Sequence, residues 1–344
     1  MSIIIYLFCV LLIVLTLGNL RNFRIKNPQE NCFSILIACR NEEKNLQKLF
    51  DSLKEIEYPS EKFEIIIVDD ASTDRSFEMI DKFSKELPNI TALRVLMKDE
   101  IYKGKKAALK MATEHAKHDF FLFSDADCIV PPKWLQNLNK FISPKIGAVI
   151  GYYIVISQNS FTRFLKFINA GSFSATTGLG FPVSAAGSNL LIRKKTFQEV
   201  KGYESIKHEQ SGDDKLMINL IKKTNWKIAY NNLEPVKTWQ VSDIKTRSAQ
   251  YKRQYGKFQM FPISYKIVSV FVFIFYMYFP ISVLVDKRFI NFYLYFGFAL
   301  LYWISILLKH KQKFHLFDLF YVLYYPYFLT YYAITGMFFG WKWK

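Results

Sequence analysis

Apolar and polar positions fall into blocks whose period changes along the chain. Residues 3–17 are apolar apart from Thr16, and Arg21, Arg24 and Lys26 follow. This block predicts a short membrane span. Its positive charge comes after the apolar run, unlike the order in a cleaved leader, and predicts an outer N-terminus with a cytoplasmic body. After a polar linker at 27–30, strands and helices alternate. Apolar strands are predicted at 33–39, 63–68, 93–97 and 120–124. Helices are predicted at 42–56, with Leu46, Leu49, Phe50 and Leu53 on one face, and after an N-cap in 72–74, with Phe77, Ile80 and Phe83 inward. Two more are predicted at 104–117 and from Pro131-Pro132 onward. This alternation predicts an α/β fold built on a mostly parallel sheet with right-handed crossovers.

Beyond residue 148 the pattern loosens. It predicts a strand at 148–156, a helix at 161–177, a helix over 216–221 and short strands at 226–230 and 236–240. Residues 243–261 mix Lys245, Arg247, Lys252, Arg253 and Lys257 with Tyr251, Tyr255 and Phe258. That mixture suits either a helix lying on a membrane surface or a loop closing over a phosphate. Three further apolar stretches follow, at 267–285, 289–308 and 317–340, the last with Pro326 as a predicted kink. Lys309, Lys311 and Lys313 lie between the last two and fall on the cytoplasmic side under the same topology.

Charge sharpens this picture. The chain has 46 Lys and Arg against 29 Asp and Glu, a net +17, with both ends largely apolar. A basic body beside a membrane suits anionic lipids or anionic substrates. Nucleic acid is the competing partner, but no helix-turn-helix, zinc-finger or RNP signature is present. Cys9, Cys32, Cys39 and Cys128 show no zinc spacing and read as buried thiols in a reducing compartment.

The candidate chemistry sits where strands end. Asp125 and Asp127 follow the apolar run 120–123, Asp69-Asp70 end the strand at 63–68, and Asp213-Asp214 precede the helix predicted over 216–221. In an open α/β sheet, ligands bind beyond the carboxyl ends of the strands. Two acids there can share a hard divalent cation with nucleotide phosphates. Taken singly, each acid also suits a turn or a helix cap.

The order Ile-Ala-Cys-Arg-Asn-Glu (37–42), Val-Asp-Asp-Ala-Ser-Thr-Asp (68–74), Lys-Gly-Lys-Lys-Ala-Ala-Leu (103–109), Asp-Ala-Asp (125–127) and Gly-Asp-Asp (212–214) resembles family 2 glycosyltransferases. The resemblance covers roughly residues 33–258. It implies a GT-A fold, a Rossmann-like, mostly parallel sheet flanked by helices, here with an N-terminal and about three C-terminal transmembrane helices. It also implies an integral protein of a bacterial plasma membrane with a cytoplasmic catalytic domain. The organisation expected is an anchor at 1–26, the catalytic domain at 27–242, an interfacial or gating segment at 243–264 and a membrane region at 265–344.

The resemblance implies roles for particular residues. Ala38, Arg40 and Glu42 would meet the nucleoside. Asp70 would accept a hydrogen bond from base or ribose, with Asp69 holding the turn. Lys105 would lie near the nucleotide. Asp125 and Asp127 would form the Mg2+ or Mn2+ site, with Asp125 also on the donor side. Asp214, beside Asp213, would be the base that deprotonates the acceptor hydroxyl, which implies inversion. Gly187, Ser188, Asn189 and Gln250 would face the acceptor. The family often carries Gln-x-x-Arg-Trp before its first C-terminal span; here Gln250 and Arg253 match, while Gln254 replaces the Trp. Arg253 would reach the diphosphate. The missing indole weakens the case for a processive synthase. The implied reaction moves a sugar from a nucleotide donor, expected to be UDP-linked, to a lipid-linked or surface-glycan hydroxyl. A processive synthase, a transferase to polyprenyl phosphate and a catalytically silent binding subunit are the alternatives.

Overall fold

The computed structural model describes residues 2–24, 29–96, 101–102, 104–157, 159–209, 212–239, 248–249, 251–252, 267, 270–271, 274–276, 279 and 289–338. The chain divides into two units: Met1–Leu17, Ser157–Ile168 and Gln240–Lys344 form one, and Gly18–Ile156 with Asn169–Trp239 form the other.

The second unit holds the sheets. Its strands are β1 (Phe33–Cys39), β2 (Phe63–Asp70), β3 (Ile90–Val95), β4 (Phe120–Asp125), β5 (Cys128–Ile129), β6 (Ile146–Ile150), β7 (Tyr153–Ile156), β8 (Leu190–Arg193), β9 (Lys227–Tyr230) and β10 (Val236–Trp239). Seven of them run in the order β3-β2-β1-β4-β8-β6-β9, and β5-β10-β7 form a smaller sheet. The large sheet is parallel except around β8, which is antiparallel to β4 and β6. Short β8, four residues between the segment 186–189 and a helix, is a strand that the hydrophobic pattern did not predict.

Apolar residues on both faces of β1, β2 and β4 require cover on both sides. On one face, Phe33, Ile35 and Ile37 of β1 join Leu46, Leu49, Phe50 and Leu53 of α2 (Leu46–Lys54) in the main core. Phe50 stacks on Phe83 of α3 (Ser76–Ser84), ring centroids 4.0 Å apart. The other face meets α4 (Lys106–His115), which packs on β1 and β2 through Ala108, Leu109 and Ala112. There Phe121 of β4 also meets Phe197 of α7 (Lys194–Glu199) edge-on.

α2 and α3 start later than the pattern predicts, at Leu46 and Ser76, whereas α8 (Asp213–Ile221) starts earlier, at Asp213. Residues 42–45 form a turn instead, with the Glu42 carboxylate accepting from Asn45 Nδ2 at 2.7 Å. Similarly, Asp74 does not lengthen α3: its carboxylate accepts from Ser76 N and, across the rim, from Glu43 N. The strand predicted at 148–156 is two strands in different sheets. Between them Gly151 N donates to Asn189 O, and a Cβ on Gly151 would lie 2.3 Å from the Asn189 side chain. α5 (Trp134–Asn139) and α8 (Asp213–Ile221) complete this unit, together with the last turn of α1 (Ser2–Leu20) and the second half of α6 (Ser160–Gly178).

The first unit contains the beginning of α6, α9 (Phe289–Lys309) and α10 (Phe317–Phe338). Asn159 caps α6 by accepting from Thr162 N at 3.1 Å. Arg163 then pairs with fully buried Asp318 at the head of α10, and Phe164 packs on Trp303 of α9. Among the described residues, α9 is the one helix long and apolar enough to cross a membrane; Ile5–Leu20 is apolar but shorter. Most of the first predicted C-terminal span, 267–285, and most of the mixed segment 243–261 lie outside the described residues.

Candidate active site

Parallel register brings three strand ends to one rim. Ala38 of β1 lies opposite Asp125 of β4, and Cys39 lies opposite Asp69 of β2. The adjacent acids of β2 then part. Asp69 is fully buried, accepts from Ser72 N at 3.2 Å and pairs with Arg94 Nε at 3.2 Å. It holds the turn. Asp70 is 6% exposed, with Arg40 Nη1 3.9 Å from its carboxylate. The loops after β1 and β2 are tied together. Asn41 N donates to Ser72 Oγ at 2.9 Å, Asn41 Oδ1 accepts from Thr73 N at 2.9 Å, and Glu42 N donates to Ser76 Oγ at 2.8 Å. Asn41 and Ala71 both take left-handed backbone angles, φ +53°, as the chain leaves the strands sharply.

β4 delivers Asp125 half-exposed, with Lys105 Nζ 2.5 Å away. Lys105 comes from the residue before α4. Burial works against its ammonium, but Asp125, Asp213 and Asp214 outweigh that and raise its pKa above the ordinary lysine value. Asp127 accepts from Thr238 Oγ1 at 3.1 Å. Its pKa is raised by burial first and by Asp125 second, against the Thr238 hydrogen bond. Glu42 is raised by burial and, against its bond from Asn45, by Asp127 and Asp125. Asp125, Asp127 and Cys128 bring donor atoms within 4.8 Å of one another. Burial and then the two aspartates push the Cys128 thiol well up.

The second carboxylate cluster opens α8. Gly212 takes φ +91°, a left-handed angle that suits glycine, and turns the chain into the helix. Asp214 Oδ2 accepts from Gly187 N at 3.2 Å and its Oδ1 accepts from Lys215 N at 2.8 Å. Asp213 faces elsewhere and pairs with Lys106 Nζ at 2.7 Å. Gly187 lies between the clusters. A Cβ there would stand 3.7 Å from Lys105 Nζ and 3.8 Å from Asp214 Oδ2.

The structure therefore brings Lys105, Asp125, Gly187 and Asp214 together, with Asp127 beside Asp125. Ser188 and Asn189 do not join them through their side chains. Ser188 is buried, and its carbonyl accepts from Ser124 Oγ at 3.2 Å. Asn189 is fully buried, accepts from Trp134 Nε1 at 3.0 Å and donates to Tyr152 O at 3.0 Å. Gln250 and Arg253 lie outside the described residues. The sequence pattern missed Lys106, Arg94 and Thr238. Each pairs with an acid far along the chain, and no local spacing signals that.

Two family models match. "Glycosyl transferase family 2" covers residues 34–200, and "Glycosyl transferase family group 2" covers residues 120–340, more than half of the chain. Glycosyltransferase AglE of Haloferax volcanii is 32% identical over 182 residues, 53% of this chain and 58% of that one. Poly-beta-1,6-N-acetyl-D-glucosamine synthase of Staphylococcus epidermidis is 31% identical over 186 residues, 52% of this chain and 43% of that one. Poly(ribitol-phosphate) beta-N-acetylglucosaminyltransferase TarS of Staphylococcus aureus is 29% identical over 110 residues, 32% of this chain and 18% of that one. The chain thus aligns with 58% or less of these curated relatives. Among solved structures, the mannosyltransferase PcManGT of Pyrobaculum calidifontis, in complex with GDP-Man and Mn2+, has the same fold. Its TM-score is 0.61 at 15% identity, covering 97% of this chain and 99% of that one. The fold is thus GT-A-like, and the matched models decide the kinship: the chain belongs to glycosyltransferase family 2.

Proposed function

We propose that this protein moves a sugar from a UDP-linked donor to a hydroxyl of a lipid-linked or cell-surface glycan precursor, with inversion at the anomeric carbon. One observation carries the reading. A lysine paired to a strand-end aspartate and a helix-head carboxylate flank a glycine, Gly187, that puts no side chain between them. Lys105, kept charged, faces the donor diphosphate. Asp214, braced by two backbone amides, takes the acceptor proton as that oxygen attacks. One base and an in-line displacement give inversion. Asp70, with Arg40 beside it, receives the nucleoside.

The donor set suits a hard divalent cation, Mg2+ or Mn2+. Asp125 and Asp127 offer carboxylate oxygens close together, and the soft Cys128 sulfur is a poor ligand for such an ion. Bound there, it would neutralise charge on the departing diphosphate. The relatives named for N-acetylglucosamine transfer make that sugar the first donor to test. The reading places the catalytic body at 27–242 and membrane contact at 1–26 and 265–344, supported by the apolar character of α1 and α9.

The test is release of nucleoside diphosphate from a panel of UDP-sugars, beginning with UDP-N-acetylglucosamine, in detergent with membrane lipid extract. Release should require Mg2+ or Mn2+ and stop on chelation. Asp214→Asn should lower kcat by about 100- to 10,000-fold, the usual worth of general base catalysis. No release from any donor would sink the enzymatic reading. A fully active Asp214→Asn would point to an acceptor that is already an anion.

A further inference from the structure

We propose that Lys106 is a positioning residue, placing Asp214 through a buried ion pair with Asp213. The head of α4 would then set the spacing between the donor edge and the base. The inference rests on the reading of Asp214 as the proton acceptor.

Lys106 opens α4 and its side chain is 0% exposed. Its ammonium sits 2.7 Å from Asp213 Oδ1 and also donates to Glu209 O, a carbonyl on the approach to α8. A lysine with no access to water is costly unless paired. An apolar side chain of similar volume would serve stability at least as well as such a pair. A pair kept here is therefore better explained by the geometry it imposes. That geometry is local to the base. α8 has no side-chain N-cap, its first residue is Asp213, and its second is Asp214. Fixing Asp213 fixes the turn from which Asp214 reaches Gly187 N.

Neighbouring Lys105 makes the arrangement a bracket. Consecutive residues at one helix head hold acids of two different elements, Lys105 gripping Asp125 of β4 and Lys106 gripping Asp213 of α8. A shift at this head would change the donor-to-base distance. Misplacement by about 1 Å can cost a hundredfold in rate.

The experiment compares the detergent-extracted full chain with Lys106→Met, Lys106→Arg and the double variant Lys106→Met/Asp213→Asn. Measured are kcat, donor KM, UDP binding by calorimetry and the melting temperature. The double variant carries no uncompensated charge, so it should melt close to the wild type and bind UDP as tightly. Its kcat should nevertheless fall about 10- to 100-fold. Lys106→Arg, which keeps the charge, should recover part of the rate. Lys105→Met should differ by raising donor KM. A double variant with wild-type kcat, or one whose kcat falls only in step with UDP affinity, overturns the proposal. If the double variant melts far below the wild type, Lys106→Arg decides. A native melt with kcat recovered above that of Lys106→Met supports positioning through the charge, and a kcat no better than that of Lys106→Met refutes it. Wild-type protein without transfer, or a fully active Asp214→Asn, would defeat the underlying reading instead.

Discussion

Asn189 and Gly187 stand two positions apart and do different work. The Asn189 amide is spent on Trp134 and Tyr152 inside the core, while Gly187 shows bare backbone to Lys105 and Asp214. Asn189→Ala should therefore lose about 1–3 kcal/mol of stability, because it strands a buried indole N–H. Gly187→Ala should melt like the wild type, since its Cβ meets only ordinary contacts, and yet transfer sugar more slowly. Thermal melts and turnover on the two variants check this; the opposite pattern would refute it. Asp74 supplies a pH test. Burial opposes its ionisation, but bonds from Ser76 and the Glu43 amide hold its pKa below the ordinary 3.8. The unfolded chain then binds more protons between the two values, so stability rises with pH across that window. The stabilisation is complete above it and lost as pH falls through the folded value. Asp74→Asn should lower stability at neutral pH and lose less than the wild type on acidification. Denaturant titrations taken down to about pH 3 would show the two curves converging.

At the scale of elements, the parallel strands carry the rim and helix starts carry the chemistry. β1, β2 and β4 were legible because strands covered on both faces read as nearly continuous apolar runs. The first turns of α2 and α3 were not, because Glu42 and Asp74 use their carboxylates on loop amides. β8 was missed because what makes it a strand is its antiparallel pairing with β4 and β6, residues distant in the chain. One close approach is also invisible in the pattern. A Cβ on Gly178, at the end of α6, would fall 1.9 Å from Gly18 O of α1, and Arg21 Nη1 donates to Gly178 O at 2.9 Å. Gly178→Ala should cost about 1–3 kcal/mol through this overpacking. A lower melting temperature checks it, and an unchanged melt would mean that α1 can move aside freely.

At the scale of the whole molecule, a +17 chain with apolar ends should associate with membranes in two ways, by insertion and by charge. After expression, the protein should sediment with membranes and stay there through high salt and alkaline carbonate. Release by carbonate would contradict spanning, and release by salt alone would leave only the electrostatic contact.

By itself the sequence determined the α/β alternation, the strand ends bearing Asp70, Asp125 and Asp127, and the family. These are local matters: periodicity, strand length and motif order are written in neighbouring residues. The tertiary structure alone decided which acids meet which cations. Asp69 went to Arg94, Asp125 to Lys105 and Asp213 to Lys106. It also turned Asn189 into the core and left Gly187 facing the carboxylate of Asp214. Those pairings join residues far apart in the chain. They are fixed by strand register and by the cost of leaving a buried charge alone, and no stretch of sequence read alone contains either.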